Sequence, residues 1–299
     1  MKVGRCLIAI ILLLSLSGCS IIPKWGRIQK NSQIPLDSFR QESIKKSAKE
    51  TDPRYKEYRY DFRSTVEGLP AADATFWLKI NRNRTYQARA EFNVISPWAA
   101  IFKAAGRQQI KGRLVNGRFL TREMRGFFQV GKKKYEILVK YPRGGQSPVT
   151  TSYPPPRKRA LTPVDKRLLK ESYDIVSALL TLMAQYQKGG QSLACRQSLL
   201  TWDGFRLARI KLSPDKTNPN MCVAEFQRVG GFLKKFERQA RGKKSIIYFR
   251  VDKRFALPLE ISADTPFIKP SLTMTRINGT PLSYYYLPDN LKKTPFDGE

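Results

Sequence analysis

From Tyr55 onward apolar and polar positions alternate with period two. Tyr58, Tyr60, Phe62, Ser64 and Val66 interleave with Arg59, Asp61, Arg63 and Thr65. Ala72, Ala74, Phe76, Leu78 and Ile80 form one face of a second run, and Tyr86, Ala88, Ala90, Phe92 and Val94 do the same in a third. Strict alternation describes strands with one buried and one wet face, as in an antiparallel sheet. Gly68-Leu69-Pro70 reads as the turn between the first two runs. Asn116-Gly117 and Asp203-Gly204 read as two-residue hairpin turns. The wet faces carry Lys and Arg in quantity, whereas a transmembrane barrel shows lipid an apolar outer face, so the pattern predicts a water-soluble sheet.

Two stretches interrupt the alternation. SPWAAIFKAAGR (96–107) places Trp98, Ile101 and Phe102 on one helical stripe. It predicts a short amphipathic helix, either a lid on the sheet or a core-packing turn. SPVTTSYPPPRKRALTP (147–163) closes a Pro-rich crossover spanning 142–163, and its three successive prolines supply no backbone donors, so it is expected to be irregular. Residues 164–187 follow with Leu168, Leu169, Tyr173, Val176, Leu179, Leu180 and Met183 at helical spacing, and Gly189-Gly190 are the expected stop.

The first residues have a different character. Lys2 and Arg5 precede an apolar run, Leu7 to Leu14, and the small residues Ser15, Ser17 and Gly18 follow. That is the layout of a secretory signal, and the run is shorter than the span of about 20 apolar residues that a bilayer demands of a helix. Leu16-Ser17-Gly18-Cys19 resembles the bacterial lipobox. The resemblance implies cleavage after residue 18, a diacylglyceryl group on the Cys19 thiol, and a durable hold on a membrane through two or three acyl chains. Ser20 is similar to the outer-membrane address of Gram-negative lipoproteins, which implies an outer-membrane protein facing the periplasm. The chain then divides into a signal peptide (1–18), a lipid anchor and tether (19–53), a single β-rich domain (54–279) and a C-terminal tail (280–299).

Charge narrows the choice of partners. The chain has 299 residues, with 55 Lys and Arg against 24 Asp and Glu, for a net +31. Removing residues 1–18 takes away Lys2 and Arg5 and no acid, leaving +29. Such a charge attracts polyanions. In an exported protein these are anionic phospholipid, lipopolysaccharide and peptidoglycan, and nucleic acid is not expected. The densest cationic stretch, 228–250, holds Lys234, Lys235, Arg238, Arg241, Lys243 and Lys244 with Phe232, Leu233 and Phe236 interleaved. Lys132, Lys133 and Lys134 form a second run, and Arg157-Lys158-Arg159 a third. These are the candidates for anion binding; the plainer reading makes them solvated hairpin ends whose aromatics pack inward. Tyr284-Tyr285-Tyr286 is either a sticky edge or a last packed segment. The sequence sets no oligomeric state.

The chain has no histidine. That excludes Ser-His-Asp and Cys-His catalysis and removes the commonest transition-metal ligand. No carboxylate pair or Ser-Lys set stands at a recognisable spacing, so neither an enzyme nor a cofactor is expected. Of four cysteines, Cys6 leaves with the signal and Cys19 takes lipid. Cys195 and Cys222 are then expected to pair in an oxidising compartment. In a flat three-strand meander the first and third strands lie about 9.6 Å apart, while a disulfide tolerates Cα separations only to about 7 Å. Either Cys195 sits just before its strand and bends inward, or the order is not a meander.

Several motifs occur in order: EGLPAADATF (67–76), GRLVNGRF (112–119), GKKKYEI (131–137), the Pro-rich crossover, YDIVSALL (173–180), Cys195, WDGFR (202–206) and Cys222. Together they resemble exported proteobacterial proteins of domain-of-unknown-function family 3108, over residues 55–279. The resemblance implies a mainly β fold, a strongly curved antiparallel sheet forming an open or spiral barrel with one packed α-helix, and it supplies no catalytic residues. The small inward residues Ala72, Ala74, Ala88 and Ala90 then make room for that helix or for a ligand. Two functional classes follow: a lipid-anchored binding or scaffolding module in envelope maintenance, or a half-barrel carrier of lipid or another apolar ligand.

Overall fold

The computed structural model describes residues 55–101, 103–142, 146–155, 161–234, 245–265 and 269–287. Cys19, the signal and the tether lie outside them. The chain forms β1 (Tyr55–Val66), β2 (Leu69–Asn81), β3 (Thr85–Val94), helix α1 (Trp98–Ile101), β4 (Ala104–Val115), β5 (Arg118–Val130), β6 (Lys133–Lys140) and β7 (Val149–Tyr153). Helices α2 (Lys166–Leu169) and α3 (Ile175–Ala194) follow. The second half adds β8 (Ser198–Trp202), β9 (Leu207–Pro214), β10 (Met221–Gly230), β11 (Ser245–Arg250), β12 (Glu260–Asp264), β13 (Pro270–Ile277), β14 (Thr280–Pro281) and a 3-10 turn, Leu282–Tyr286.

All the strands belong to one antiparallel sheet, ordered β7-β6-β5-β4-β3-β2-β1-β13-β12-β11-β10-β9-β8, with β14 on β13. Two meanders are joined through β1, which pairs with β2 on one side and β13 on the other. Register shifts interrupt β1, β4–β5 and β9–β10, and such bulges add local twist and bend. Inward small residues let the sheet close on itself: a Cβ on Gly112 would stand 2.4 Å from the Tyr86 ring. The result is an unclosed, curved sheet whose edges meet through side chains rather than a ladder. Trp202 on β8 donates its indole N–H to Thr150 Oγ1 on β7 (3.3 Å), and the Tyr141 hydroxyl donates to the Trp202 carbonyl (3.2 Å). Residues 161–174 run along this seam. Tyr173 exchanges backbone bonds with Leu200 and Trp202, and Ser147 Oγ donates to the Lys166 carbonyl.

Helix α3 occupies the interior. Residues Ile175 to Met183 are buried without interruption, as expected of a helix apolar on every side. Cys195 caps its C-terminus and is bonded to Cys222, with Cα atoms 5.3 Å apart. β8, β9 and β10 do form a meander, so the geometric puzzle resolves in favour of a Cys195 that precedes its strand and bends inward.

Six local expectations are corrected. Helix α1 covers only Trp98–Ile101, and 104–107 belong to β4, because Ala105 to Arg107 find partners on both β3 and β5 and Ala104 on β5. Trp98 and Ala99 pack against Val66, Ala72, Val94 and Ala104, which is the core-packing alternative. The Pro-rich crossover contains strand β7, since Val149–Tyr153 precedes the prolines and pairs with β6. The helix expected over 164–187 starts at Ile175; α2 is one separate turn, and the Tyr173 bridge to β8 breaks the run between them. Gly190 (φ 64°, ψ −156°) kinks α3 without ending it. Finally, the first turn is Glu67-Gly68, and Asp203–Arg206 is a four-residue loop in which Asp203 Oδ1 accepts from the N–H of Phe205 and Arg206. The 3-10 turn packs on the sheet: Phe255 meets Tyr285 edge-on at 5.7 Å and Tyr286 donates to Asp252. Tyr284-Tyr285-Tyr286 is thus a last packed segment.

Candidate functional site

Two polar features invite chemistry, one inside the barrel and one at its rim. The inner one centres on Asp174, the N-cap of α3. Its Oδ1 accepts from the N–H of Val176 (3.0 Å) and Ser177 (3.1 Å), and its Oδ2 accepts from the hydroxyls of Ser177 and Thr121. Tyr86 lies 2.6 Å from Ser177 Oγ, and with Ser177 donating to Asp174 the phenol is the donor of that pair. One turn along, Thr181 Oγ1 accepts from the Phe119 N–H (2.9 Å). A register shift opposite Lys111 and Gly112 makes this possible: Phe119 and Thr121 face inward before it, and Met124 and Gly126 after it. Burial pushes the Asp174 carboxyl up despite its donors, and it pushes Tyr86 and Tyr141 well above the usual phenol range with the Asp174 charge adding to it. Tyr86, Asp174 and Ser177 are buried and Thr121 is half-buried, and the network pins the helix to β3 and β5. The sequence carried a signal for it, Asp before an apolar helical run in YDIVSALL. Starting the helix at 164 hid it.

Between α3 and the sheet lies an apolar cavity of about 30 Å³, lined by Ala74, Phe76, Ala90, Val176, Leu179 and Leu272 among others. It has room for one water-sized molecule, not for an acyl chain. Ala74, Ala88 and Ala90 belong to the core around α3, whereas Ala72 packs beside α1.

The outer feature is the distribution of charge. On the barrel wall six arginines have carboxylate partners: Arg59–Asp61 (3.2 Å), Arg63–Asp73 (3.0 Å), Arg125–Glu123 (2.9 Å), Arg250–Glu260 (3.3 Å), and both Arg89 and Arg107 on Glu91. Trp77 lies between Arg59 and Arg89, whose guanidinium carbons sit 5.8 and 4.8 Å from its ring centre. The rim is different. Strand directions place the Val66, Val94, Val130, Tyr153, Gly230 and Asp264 ends of β1, β3, β5, β7, β10 and β12 at one barrel end, called the upper end here. The β5–β6 turn carries Lys132, Lys133 and Lys134, all exposed. Lys103, Lys234 and Lys269 are exposed at the same end. Among the described residues none of these six lysines forms an ion pair. Exposed cations outside these ion pairs also occur elsewhere, among them Lys188 and Lys216 and, near one another at the opposite end, Arg84, Arg113 and Arg118.

Topology therefore gathers what the sequence separates. Lys235, Arg238, Arg241, Lys243, Lys244 and the Arg157-Lys158-Arg159 run lie outside the described residues. Their described flanks do not: β10 ends and β11 begins at the upper end, β7 ends there, and Leu161 pairs with Leu233 beside it. Phe232 of the same stretch is buried, against Phe226 at 6.3 Å, so this aromatic packs inward. Among the described residues no three acidic or Cys side chains gather as a metal requires.

No family model matches the chain, and no curated protein matches it. Among solved structures, the crystal structure of a β-barrel-like protein of Domain of Unknown Function DUF1849 from Brucella abortus aligns with a TM-score of 0.38, at 12% identity, over 74% of this chain and 97% of that one.

Proposed function

We propose that this protein is a non-enzymatic binding module that holds anionic envelope material against the upper end of its barrel, from a lipid anchor at Cys19 on the periplasmic face of the outer membrane. The lipobox and the order of motifs similar to domain-of-unknown-function family 3108 support the placement. One observation carries the binding: six wall arginines sit on carboxylates, while at the upper end Lys103, Lys132, Lys133, Lys134, Lys234 and Lys269 are exposed and form no ion pair among the described residues.

Vesicle co-sedimentation of the unlipidated chain tests it. Each Lys near an anionic surface contributes about fivefold, so replacing Lys132, Lys133 and Lys134 by Gln should weaken binding to phosphatidylglycerol vesicles about a hundredfold. Binding should also fall steeply with salt. Affinity that ignores both salt and the triple substitution overturns the reading.

A further inference from the structure

The outer wall of β5–β7 carries exposed apolar side chains beside Lys132, Lys133 and Lys134. On β6 the inward residues are Ile137 and Val139, so Glu136, Leu138 and Lys140 face out. Their cross-strand partners on β7 are Tyr153, Thr151 and Val149, and on β5 Phe127, Arg125 and Glu123. Phe127, Leu138, Tyr153 and Val149 are diagonal neighbours on this lattice, within reach of one another. Val149 is 60% exposed and Tyr153 49%. Elsewhere on the wall of β1–β5 the outward rows are mostly polar, with Trp77 between two guanidinium groups; the exposed pair Val115 and Leu120 stands at the opposite end, away from Lys132, Lys133 and Lys134. The patch runs from β5 to the edge strand β7, with Phe127 and Tyr153 both opposite Glu136, three residues below the start of β6 at the upper rim.

Lysines frame it on both sides: Lys132, Lys133 and Lys134 above, Lys140 below. Its acids are each beside a cation. Glu123 accepts from Arg125, and Glu136 stands two positions from Lys134 on the same face. A tyrosine and aliphatic residues bordered by lysines suit the boundary of an anionic bilayer, where ring and chain enter the headgroup layer and the ammonium groups meet phosphate. A second copy fits poorly, because it would bring two strongly cationic rims together.

We infer that the barrel rests on an anionic lipid surface tilted onto its β5–β7 edge, with Tyr153 and Val149 entering the headgroup layer and Lys132, Lys133, Lys134 and Lys140 holding its phosphates. This deepens the reading of the upper end and rests on it: it names the lipid surface as the partner and fixes which side of the rim goes down.

Nitroxide labels placed by Val149→Cys, Tyr153→Cys, Lys211→Cys and Lys216→Cys in the full-length chain test the orientation. On phosphatidylethanolamine–phosphatidylglycerol vesicles the labels at 149 and 153 should gain access to oxygen and lose it to a nickel chelate, while those at 211 and 216 stay as in buffer. The double variant Val149→Asp/Tyr153→Asp, at exposed positions that leave thermal unfolding unchanged, should lower vesicle affinity about tenfold. If lysine-dependent vesicle binding persists with 149 and 153 still water-exposed, the orientation is wrong and the anion-binding reading stands. If anionic vesicles are not preferred over phosphatidylcholine, both fall. Burial of 149 and 153 that depends on protein concentration without vesicles would make a second copy the occupant and overturn the inference.

Discussion

Replacing Asp174 by Ala should cost about 4 kcal/mol of folding stability, and replacing it by Asn about 1. The larger figure has two parts. Removing the N-cap acceptor strands the N–H groups of Val176 and Ser177 and costs about 1–2 kcal/mol. The buried hydroxyls of Ser177 and Thr121 then lose their acceptor, at about 1–1.5 kcal/mol each. Asparagine keeps the Oδ1 acceptor, ranks beside aspartate as a cap, and lets both hydroxyls rotate to accept from its amide. In a domain of this size 4 kcal/mol lowers Tm by about 10 °C, readable by calorimetry. The pH dependence has a definite sign. Burial raises the Asp174 pKa above its ordinary 3.8, so between that value and the raised one the folded state holds the extra proton. The group's contribution is full on the acid side of this window and is lost as pH rises through it. Subtracting the Asp174→Asn curve from that of the unaltered chain should therefore leave a difference that falls with rising pH. An Asn variant as damaged as Ala, or a difference that rises with pH, would refute the account of how α3 is held.

Reducing the Cys195–Cys222 bridge opens a loop with a sequence separation of 27 and should cost about 3 kcal/mol, seen as a lower urea midpoint in dithiothreitol. Because both sulfurs are buried, reduction should need denaturant to proceed. Gly231→Ala puts a Cβ 1.7 Å from the Phe205 carbonyl oxygen at a φ of +79° and should cost several kcal/mol, whereas Gly68→Ala, at φ +80° in open space, should cost about 1. Equal losses would show that the close approach at 231 relaxes freely. Mass spectrometry of the protein from cell envelopes should find diacylated Cys19 at the N-terminus, and an unmodified thiol there removes the anchor from the proposal.

The strand pattern was legible because one face of each strand is buried. Tyr86, Ala88, Ala90, Phe92 and Val94, picked by alternation alone, are all buried. Legibility failed where tertiary contacts outbid local pattern. Ala105 to Arg107 suit a helix as well as a strand, and the choice is made by β3 and β5 on either side. The apolar spacing of Leu168 and Leu169 continues that of α3, yet the backbone of Tyr173 is taken by β8, 27 residues later in the chain at Leu200. A register shift is invisible to a period-two template: it turns Thr121 inward and swings Phe127 outward on the same strand. The cationic runs were visible in the sequence, but not that the strands flanking them end on one side of the barrel, because that follows from the parity of strands between them.

Strand geometry itself accounts for part of the charge layout. Cross-strand neighbours on a wall stand about 5 Å apart, where like charges repel, so a wall rich in arginine has to be interspersed with acids. With 24 acids for 55 cations, the excess collects where that constraint lapses, in turns and connections. Both ends of the barrel offer such places. Tolerance alone would spread the excess over both, as Arg84, Lys216 and Lys253 do at the lower end. It does not explain three successive lysines, Lys132 to Lys134, sharing an end with the connections that carry the 157–159 and 234–244 runs, beside the exposed Val149 and Tyr153. That coincidence of charge, topology and exposed apolar side chains is what a surface under selection for an anionic partner would leave.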